Sequence, residues 1–291
     1  MNRPQFTDCL SELEQNRLLD RVQSHFGWDS AGWRALWLNG LKLGNLNGKW
    51  SERVRLDWSG GITETDGDVH LHADGWLAMG DSLQHMALGW KQLGHLSGWR
   101  NEQFDVNDSE GRPLFTLERS AFRPLGLLSR AVHINGLTEY EGEWMFWIGR
   151  RSPYKAVDPN KLDNLVGGGI ASGESIREAM LREGMEEAGL DEALLQNLSG
   201  QSRRRSCRPV SRGLHNEELF IFDIVLPPDV LPENQDGEVA EFKRMRIPEL
   251  TEAMCGGLLM NDAFLATLDA FNRYGLLDRQ HPLAVWLDEN R

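Results

Sequence analysis

Cysteine is scarce in this chain of 291 residues. Cys9, Cys207 and Cys255 are an odd number with no metal-ligand spacing between them, which argues against a disulfide framework or a thiolate zinc site and suits unpaired thiols in a reducing compartment. Each reads as a packing residue. Positive charge is also in short supply: 31 Lys and Arg against 44 Asp and Glu leave a formal net charge of −13. A sequence-independent grip on phosphodiesters or anionic lipid needs a basic face, so nucleic acid and membrane are excluded as general partners and a small-molecule ligand is expected. Long apolar runs are absent too. The longest, Leu219 to Leu226, is interrupted by Asp223 and is far too short to span a bilayer. The opening residues, MNRPQFTDCLSELEQN, lack an apolar stretch of signal-peptide length and carry acidic residues that fit a transit peptide poorly, so the cytoplasm is expected. The oligomeric state is not fixed by composition; a homodimer is compatible with it.

What is present suggests two domains, which this length accommodates. Leu10, Leu13, Leu18, Val22 and Phe26 recur at roughly helical spacing, with Asp8 or Ser11 as cap and Gly27 as stop. RALWLNGLKLGNL, residues 34–46, predicts two short strands turning at Asn39-Gly40. Gly60-Gly61 and Asp66-Gly67 then punctuate short apolar runs, VRLDW and VHLHA among them, so a small α+β domain with antiparallel strands is predicted. Trp28, Trp33, Trp37, Trp50, Trp58, Trp76, Trp90 and Trp99, eight of the chain's 11 tryptophans, lie in this first part. Bulky side chains filling a small core explain that density; the alternative is that one or two stack on a flat or cationic ligand in a cleft. From Gly98 a strand, a turn and a second strand lead to an Arg- and Pro-containing join near residues 119–130. The domains are therefore placed at 1–120 and 121–291. In the second, strands are predicted at Arg130 to Leu137, Trp144 to Arg150, Leu162 to Val166, Leu219 to Leu226 and Phe242 to Ile247. Helices follow from Pro248 and over 261–273, capped in the second case by Asn261 or Asp262.

The stretch that organises the chain is GGIASGESIREAMLREGMEEAGL, Gly168 to Leu190. A glycine-rich loop opens it, Ser172 and Ser175 are N-cap candidates, and a helix is predicted from near Glu174 to a C-cap at Gly189. Ile176, Ala179, Met180, Glu183 and Glu187 share one face with Glu186 at its border; Leu181, Met185 and Ala188 lie opposite. Glu183, Glu186 and Glu187, at i, i+3 and i+4, should repel one another unless a cation joins them. A hard divalent ion with oxygen ligands suits that need, and Arg182 beside the stripe can orient a carboxylate through its fork of donors.

With Gly168, Glu174, Arg182, Glu183, Glu186, Glu187, Gly189 and Leu190 in this spacing, the segment resembles the signature box of the Nudix hydrolases. Seven such polar or glycine positions coincide by chance only about once in 10⁸ starts. Gly184 departs from the pattern, which has a bulky aliphatic residue there; we read it as a place where the helix meets its neighbour closely, at a propensity cost of up to ~1 kcal/mol. WRNEQFDV, ERSAF, AVHINGL, WIGRRSP, KLDNLVGGGI, RGLHNE and DGEVAEF are similar to the group of Nudix proteins related to thiamine pyrophosphokinase, over most of residues 98–250. The resemblance implies an α/β fold, a Nudix α/β/α sandwich with a mixed sheet, preceded here by the small α+β domain.

It also implies chemistry. Diphosphate hydrolysis with Mg²⁺, or Mn²⁺, would use Glu183, Glu186, Glu187, Glu174 and Gly168 as the metal set, with Glu183 also handling the water and Arg182 alongside it. Glu174 serves equally well as a charge complement at the helix start. The family often recruits an acid from outside the box; Glu238 in DGEV is the choice, ahead of Asp236 and Glu241, though an ordinary acidic turn reads the same way. Arg150, Arg151, Arg212 and His215 are the candidates for holding the diphosphate, and the run Arg203 to Arg205 is assigned only a weak phosphate role. The implied substrate is a thiamine-diphosphate-like or nucleoside diphosphate derivative. A Nudix-fold sensor that binds without turnover is the rival reading, and isomerisation of an isoprenoid diphosphate, which would need Cys207 in a dry pocket, ranks last.

Overall fold

The computed structural model describes residues 4–6, 9–155 and 157–290, so Asp8, one of the two expected caps, lies outside them. In chain order the elements are α1 (Glu12–Phe26), β1 (Arg34–Leu38), β2 (Leu41–Leu46), α2 (Gly48–Asp57), β3 (Gly61–Thr65), β4 (Asp68–His72), α3 (Gly75–Gln92), β5 (Gln103–Asn107), β6 (Pro113–Glu118) and α4 (Phe122–Leu125). There follow β7 (Ser129–Tyr140), β8 (Glu143–Arg151), β9 (Leu162–Asp163), β10 (Val166–Gly169), α5 (Ile176–Ala188), α6 (Glu192–Leu195), β11 (Gly200–Val210), β12 (Gly213–Val225), β13 (Val239–Arg246), α7 (Ile247–Cys255), α8 (Asn261–Arg273) and α9 (Pro282–Glu289).

The first unit is built on a sheet in the order β2-β1-β4-β3. Asn39 and Gly40, both at positive φ, close the β1–β2 hairpin, as their sequence predicts. The expectation of antiparallel pairing holds except at β1–β4, which is parallel because α2, containing most of VRLDW, crosses over between the two hairpins. Trp50, Trp58 and Trp90 are buried in this unit's core with Leu36, Val69 and Leu83. The filling role explains those three.

The second unit centres on β7, flanked by β12 in parallel and β8 antiparallel within the order β11-β12-β7-β8-β13; β10 also pairs with β7 and β9 with β8. Side chains alternate along β7 as a strand requires: Val132 and Ile134 pack towards α5, whereas Ala131 and Leu137 face the core shared with α7, α8 and α9. A mixed sheet between helices results, the expected α/β/α sandwich.

The division at residue 120 does not hold for the first helix. Ser11 caps α1 in a capping box with Glu14, but the buried Leu18 and Val22 belong to the second unit's core, beside Phe264 and Leu283. Arg17 reaches Glu252 on α7 through Nη1 and Nη2, at 2.7 and 2.9 Å. The apolar face of α1 has no surface on the first sheet to cover; it closes the far side of the sandwich instead. The first unit meets the second through the β5–β6 hairpin, where Gln103 O accepts the Ser172 N–H at 2.8 Å and Asp105 accepts the Ser172 hydroxyl at 2.7 Å and the Gly173 N–H at 3.1 Å.

Candidate active site

The loop held by that hairpin feeds α5. Ser175 caps the helix and pairs reciprocally with Glu178, and Gly189 ends it in the left-handed region at φ 62°. Gly184 sits in close approach, as its place in the sequence suggests: a Cβ there would lie 2.7 Å from Leu195 Cδ1. Gly168, on β10, is more restrictive, since a Cβ would fall 2.0 Å from the Glu183 carboxylate carbon. The strand backbone and that carboxylate are packed face to face.

Arg182 is the hub. Its Nε and Nη2 hold Glu174 in a fork at 2.8 and 2.9 Å, Nη1 reaches Glu183 at 2.8 Å and Glu186 at 3.2 Å, and Nη2 donates to the Gly169 carbonyl at 3.2 Å. The hydrogen bonds to Glu174 are the main reason its pKa is raised further above the ordinary guanidinium range. Burial pushes the Glu183 carboxyl up although Arg182 opposes the shift. Glu187 is only 5 % exposed. Its carboxyl accepts the Gly167 N–H at 2.8 Å, yet burial, then Glu183, then Asp163 push it up to about 8. Three carboxylates therefore converge with too little positive charge around them: Asp163 is engaged by Arg151 at 2.6 Å, and Lys155, whose own pKa is lowered by burial, pairs closely with Glu238. Hard oxygen donors, partly desolvated and mutually repelling, fit a divalent cation.

The stripe forms one wall of a cleft of about 290 Å³ between the two units. Box residues Glu183, Glu186 and Glu187 lie along it, and the first unit contributes Arg100, Phe104, Arg119, Ser120 and Arg123 to the same lining.

Residues 127–259 match the family model of the NUDIX domain. The second unit of this chain carries a NUDIX domain. Among curated proteins, the chain is similar to Nudix hydrolase 24, chloroplastic, of Arabidopsis thaliana, 34% identical over 202 residues, covering 65% of this chain and 52% of that protein. It is also similar to Nudix hydrolase 20, chloroplastic, of the same plant, 35% identical over 173 residues, or 55% of this chain and 43% of that one. The match thus spans about half the length of these relatives. Among solved structures, the crystal structure of DR0079 from Deinococcus radiodurans aligns with 57% of this chain and 96% of its own at 23% identity and a TM-score of 0.43. Among the described residues no helix is long and apolar enough to cross a membrane.

Within and around the NUDIX domain the expected residues separate into four groups. Glu183, Glu186, Glu187, Gly168, Arg151, Arg182, Arg212 and Glu238 line the cleft. Glu174 lies beside it and is committed to Arg182, with a further bond from the Ala171 N–H at 3.1 Å. His215 is buried behind it: Arg123 donates to its Nδ1 at 3.1 Å, so the ring proton sits on Nε2 and is given to Asp262 at 3.1 Å. His215 is thus a support for Arg123 and not itself positioned on the ligand. Arg150 is a correction. It pairs with Glu241 at 2.7 Å on the opposite face of the strand pair and does not line the cleft, because adjacent residues of β8 point to opposite faces. Glu241 goes with it, leaving Glu238 and Asp236 in the lining.

The basic run is a second correction. Arg203 to Arg205 form part of β11, where Arg204 is buried against Asp269 at 2.6 Å while Arg203 pairs with Glu218 and Arg205 with Asn216. No phosphate role remains for them. The tryptophans correct the stacking reading, since none lines the cleft. Cys207, half-buried with its thiol pushed up by burial, does not line it either. Sequence reasoning misses Asp163, Lys155, Ser120 and Arg123. Asp163 stands in the quoted KLDNLVGGGI and Arg123 just after ERSAF, but only the fold sets Asp163 beside Glu187 and brings Lys155, Ser120 and Arg123 to one cleft.

His215, Glu217 and Asp262 also have ligand atoms within 4.8 Å of one another. Arg208, at 2.8 Å from Asp262, already supplies a cation there; burial opposes it, but Arg208 and then His215 hold the Asp262 carboxyl well below its usual range. This cluster is an ion-pair anchor.

Proposed function

We propose that the protein hydrolyses a diphosphate linkage in a small molecule with the help of a divalent metal ion. The observation that carries this reading is the buried Glu187 beside Glu183 and Asp163, a carboxylate group whose charge asks for a cation in a cleft that also presents guanidinium groups. Glu183, Glu186 and Glu187 would hold the ion, with Gly168 and Glu174 bordering it. When bound, it would polarise a phosphoryl oxygen and ease deprotonation of the attacking water.

The side chains supply the remainder. Glu183, raised by burial, is a stronger base towards that water than an exposed carboxylate. Arg182 fixes Glu183 and Glu174 so that the former presents a defined oxygen. Glu238, with Lys155 and Arg100 at its two sides, would control a proton or a phosphate position across the cleft. Arg151 is engaged by Asp163 and contributes positive charge at the same end.

A thiamine-diphosphate-like or nucleoside diphosphate derivative is the substrate class we favour, from the resemblance of residues 98–250. With no tryptophan in the lining, its phenyl rings are the buried Phe104 and Phe122, and Arg119 lies over Phe104 at 5.2 Å. A thiazolium cation would be repelled there, so an oxidised, uncharged thiamine-type ring or a nucleobase suits the wall better. Mg²⁺, with Mn²⁺ as substitute, and a cytoplasmic setting complete the proposal. It is tested by a phosphate-release screen over nucleotide sugars, dinucleotide polyphosphates and thiamine diphosphate derivatives with each metal. Turnover on one class, abolished by EDTA, is expected; saturable binding without turnover on any of them would make the protein a sensor.

A further inference from the structure

The cations in the cleft are not equally satisfied. Arg151, Arg119 and Arg208 face Asp163, Glu102 and Asp262 at 2.6, 2.7 and 2.8 Å. Arg212, half-buried in the turn between β11 and β12, has no hydrogen-bond or ion-pair partner for its guanidinium among the described residues. Burial and the neighbouring Arg123, Arg119 and Arg100 all lower its pKa, and no carboxylate opposes them. Arg123 is half-buried and has one neutral acceptor, His215 Nδ1, which leaves other N–H groups of its fork unused. On the same lining the Ser120 hydroxyl is buried without a partner among the described residues. Like charges held together at partial burial, beside an orphan hydroxyl, are costly unless a ligand completes them.

We infer that Arg212, Arg123 and the Ser120 hydroxyl form an anion cradle for a phosphate group of the substrate that lies away from the carboxylate stripe. The inference rests on the hydrolase reading for its role in turnover, but not for the binding itself. Forked guanidinium donors match phosphate oxygens in number and direction. Their support is built in: Asp262 holds His215, His215 presents its lone pair to Arg123, and Arg123 is carried by the segment that joins the first unit to the NUDIX domain. The cradle therefore exists only where both units meet, which gives the first unit a part in choosing the substrate. The phosphate could be the second phosphoryl group of the scissile diphosphate, or a further phosphate on the leaving portion.

The test uses the full chain in EDTA at low salt, with inorganic phosphate as the probe and calorimetry as the readout. Wild type should bind saturably; Arg212→Gln should weaken binding on the order of tenfold or more, as expected for losing a charge-assisted contact. Arg212→Lys should recover part of it. Glu186→Gln, at the other wall, should bind phosphate no more weakly than wild type. Because no metal or turnover is involved, a failed hydrolase reading leaves this result interpretable. No saturable phosphate binding, or an Arg212→Gln variant equal to wild type, overturns the cradle. In turnover with Mg²⁺, a KM raised for every diphosphate by Arg212→Gln identifies the scissile diphosphate as the source, and a KM raised only for substrates bearing a further phosphate identifies that group. Unchanged KM for both kinds counts against the proposal.

Discussion

Replacing Glu187 with glutamine should make the metal-free protein more stable while removing its activity. The side chain is buried, and its carboxyl titrates at about 8 in place of 4.5 because burial, Glu183 and Asp163 all disfavour its charge. At ~1.4 kcal/mol per pKa unit the ceiling on the cost is roughly 5 kcal/mol. Water entering the cleft and small rearrangements reduce this, and ~1–2 kcal/mol is a reasonable expectation at pH 8. Glutamine keeps an oxygen for the Gly167 N–H, so the 2.8 Å hydrogen bond need not be lost. The folded-state pKa lies above the unfolded one. The penalty is therefore absent below about pH 4.5, grows as pH rises, and is complete above about 8. In EDTA, Glu187→Gln should melt roughly 2–6 °C above wild type at pH 8, with the gap closing towards pH 5. Mg²⁺ should raise the melting temperature of wild type and have little effect on the variant. A variant that melts at or below wild type at pH 8, or a gap equal at pH 5.5 and pH 8, would refute the electrostatic account of the stripe.

Glu186→Gln should leave the fold intact, since this side chain is half exposed and bonds only to Arg182, yet lower turnover by roughly 10² or more; activity within a few-fold of wild type, or full activity in excess EDTA, would sink the metal-site assignment. Glu238→Ala should slow turnover with little change in melting temperature, because the side chain is one-third exposed. If Asp236→Ala shows that pattern and Glu238→Ala does not, the role belongs to Asp236. A chain shortened to begin at Arg119 should fail to fold stably, as it loses the buried Leu18 and Val22 of α1, each contributing about 1.5–3 kcal/mol; a cooperative melting transition near that of the full chain would contradict the placement of α1 in the second core.

Helix α5 was legible because its information is local. Ser175, Gly189 and the carboxylate spacing act within a few turns of chain, and the structure shows the cap, the left-handed residue and the shared face where sequence placed them. The Asn39-Gly40 hairpin and the alternation along β7 were readable for the same reason. Two elements were harder. The helix α3 contains Gly80 and Gly89, poor helix formers that blur its pattern; Gly80 is there because Phe115 packs against it, where a Cβ would fall 2.8 Å from the Phe115 Cβ. The basic run of β11 offers a weak phosphate role on sequence because one cannot see from RRR that Asp269, far along the chain, receives Arg204.

The site divides in the same way. Arg182 and its glutamates could be named from spacing, but which carboxylate carries the strain depends on Asp163, brought beside Glu187 by β9, and on burial that only packing creates. The guanidinium-rich wall of the cleft lies further from sequence logic. Arg150 and Arg151 are equivalent by composition and differ by strand parity: one pairs with Glu241 at the surface, the other lines the cleft and pairs with Asp163. A net charge of −13 likewise hides a cleft whose first-unit face is guanidinium-rich, since total charge says nothing about segregation. The first unit is not a detachable piece appended to an independent second unit. Its hairpin hydrogen-bonds the glycine loop through Gln103 and Asp105, Phe104 packs so closely on Gly169 that a Cβ there would lie 2.6 Å from Phe104 Cζ, and the segment after β6 delivers Arg123 and Ser120 to the cleft. Contacts on the loop that precedes α5 tie the docking of the first unit to the position of Glu183 and Glu187, so disturbing the hairpin would disturb the carboxylates as well as the substrate wall.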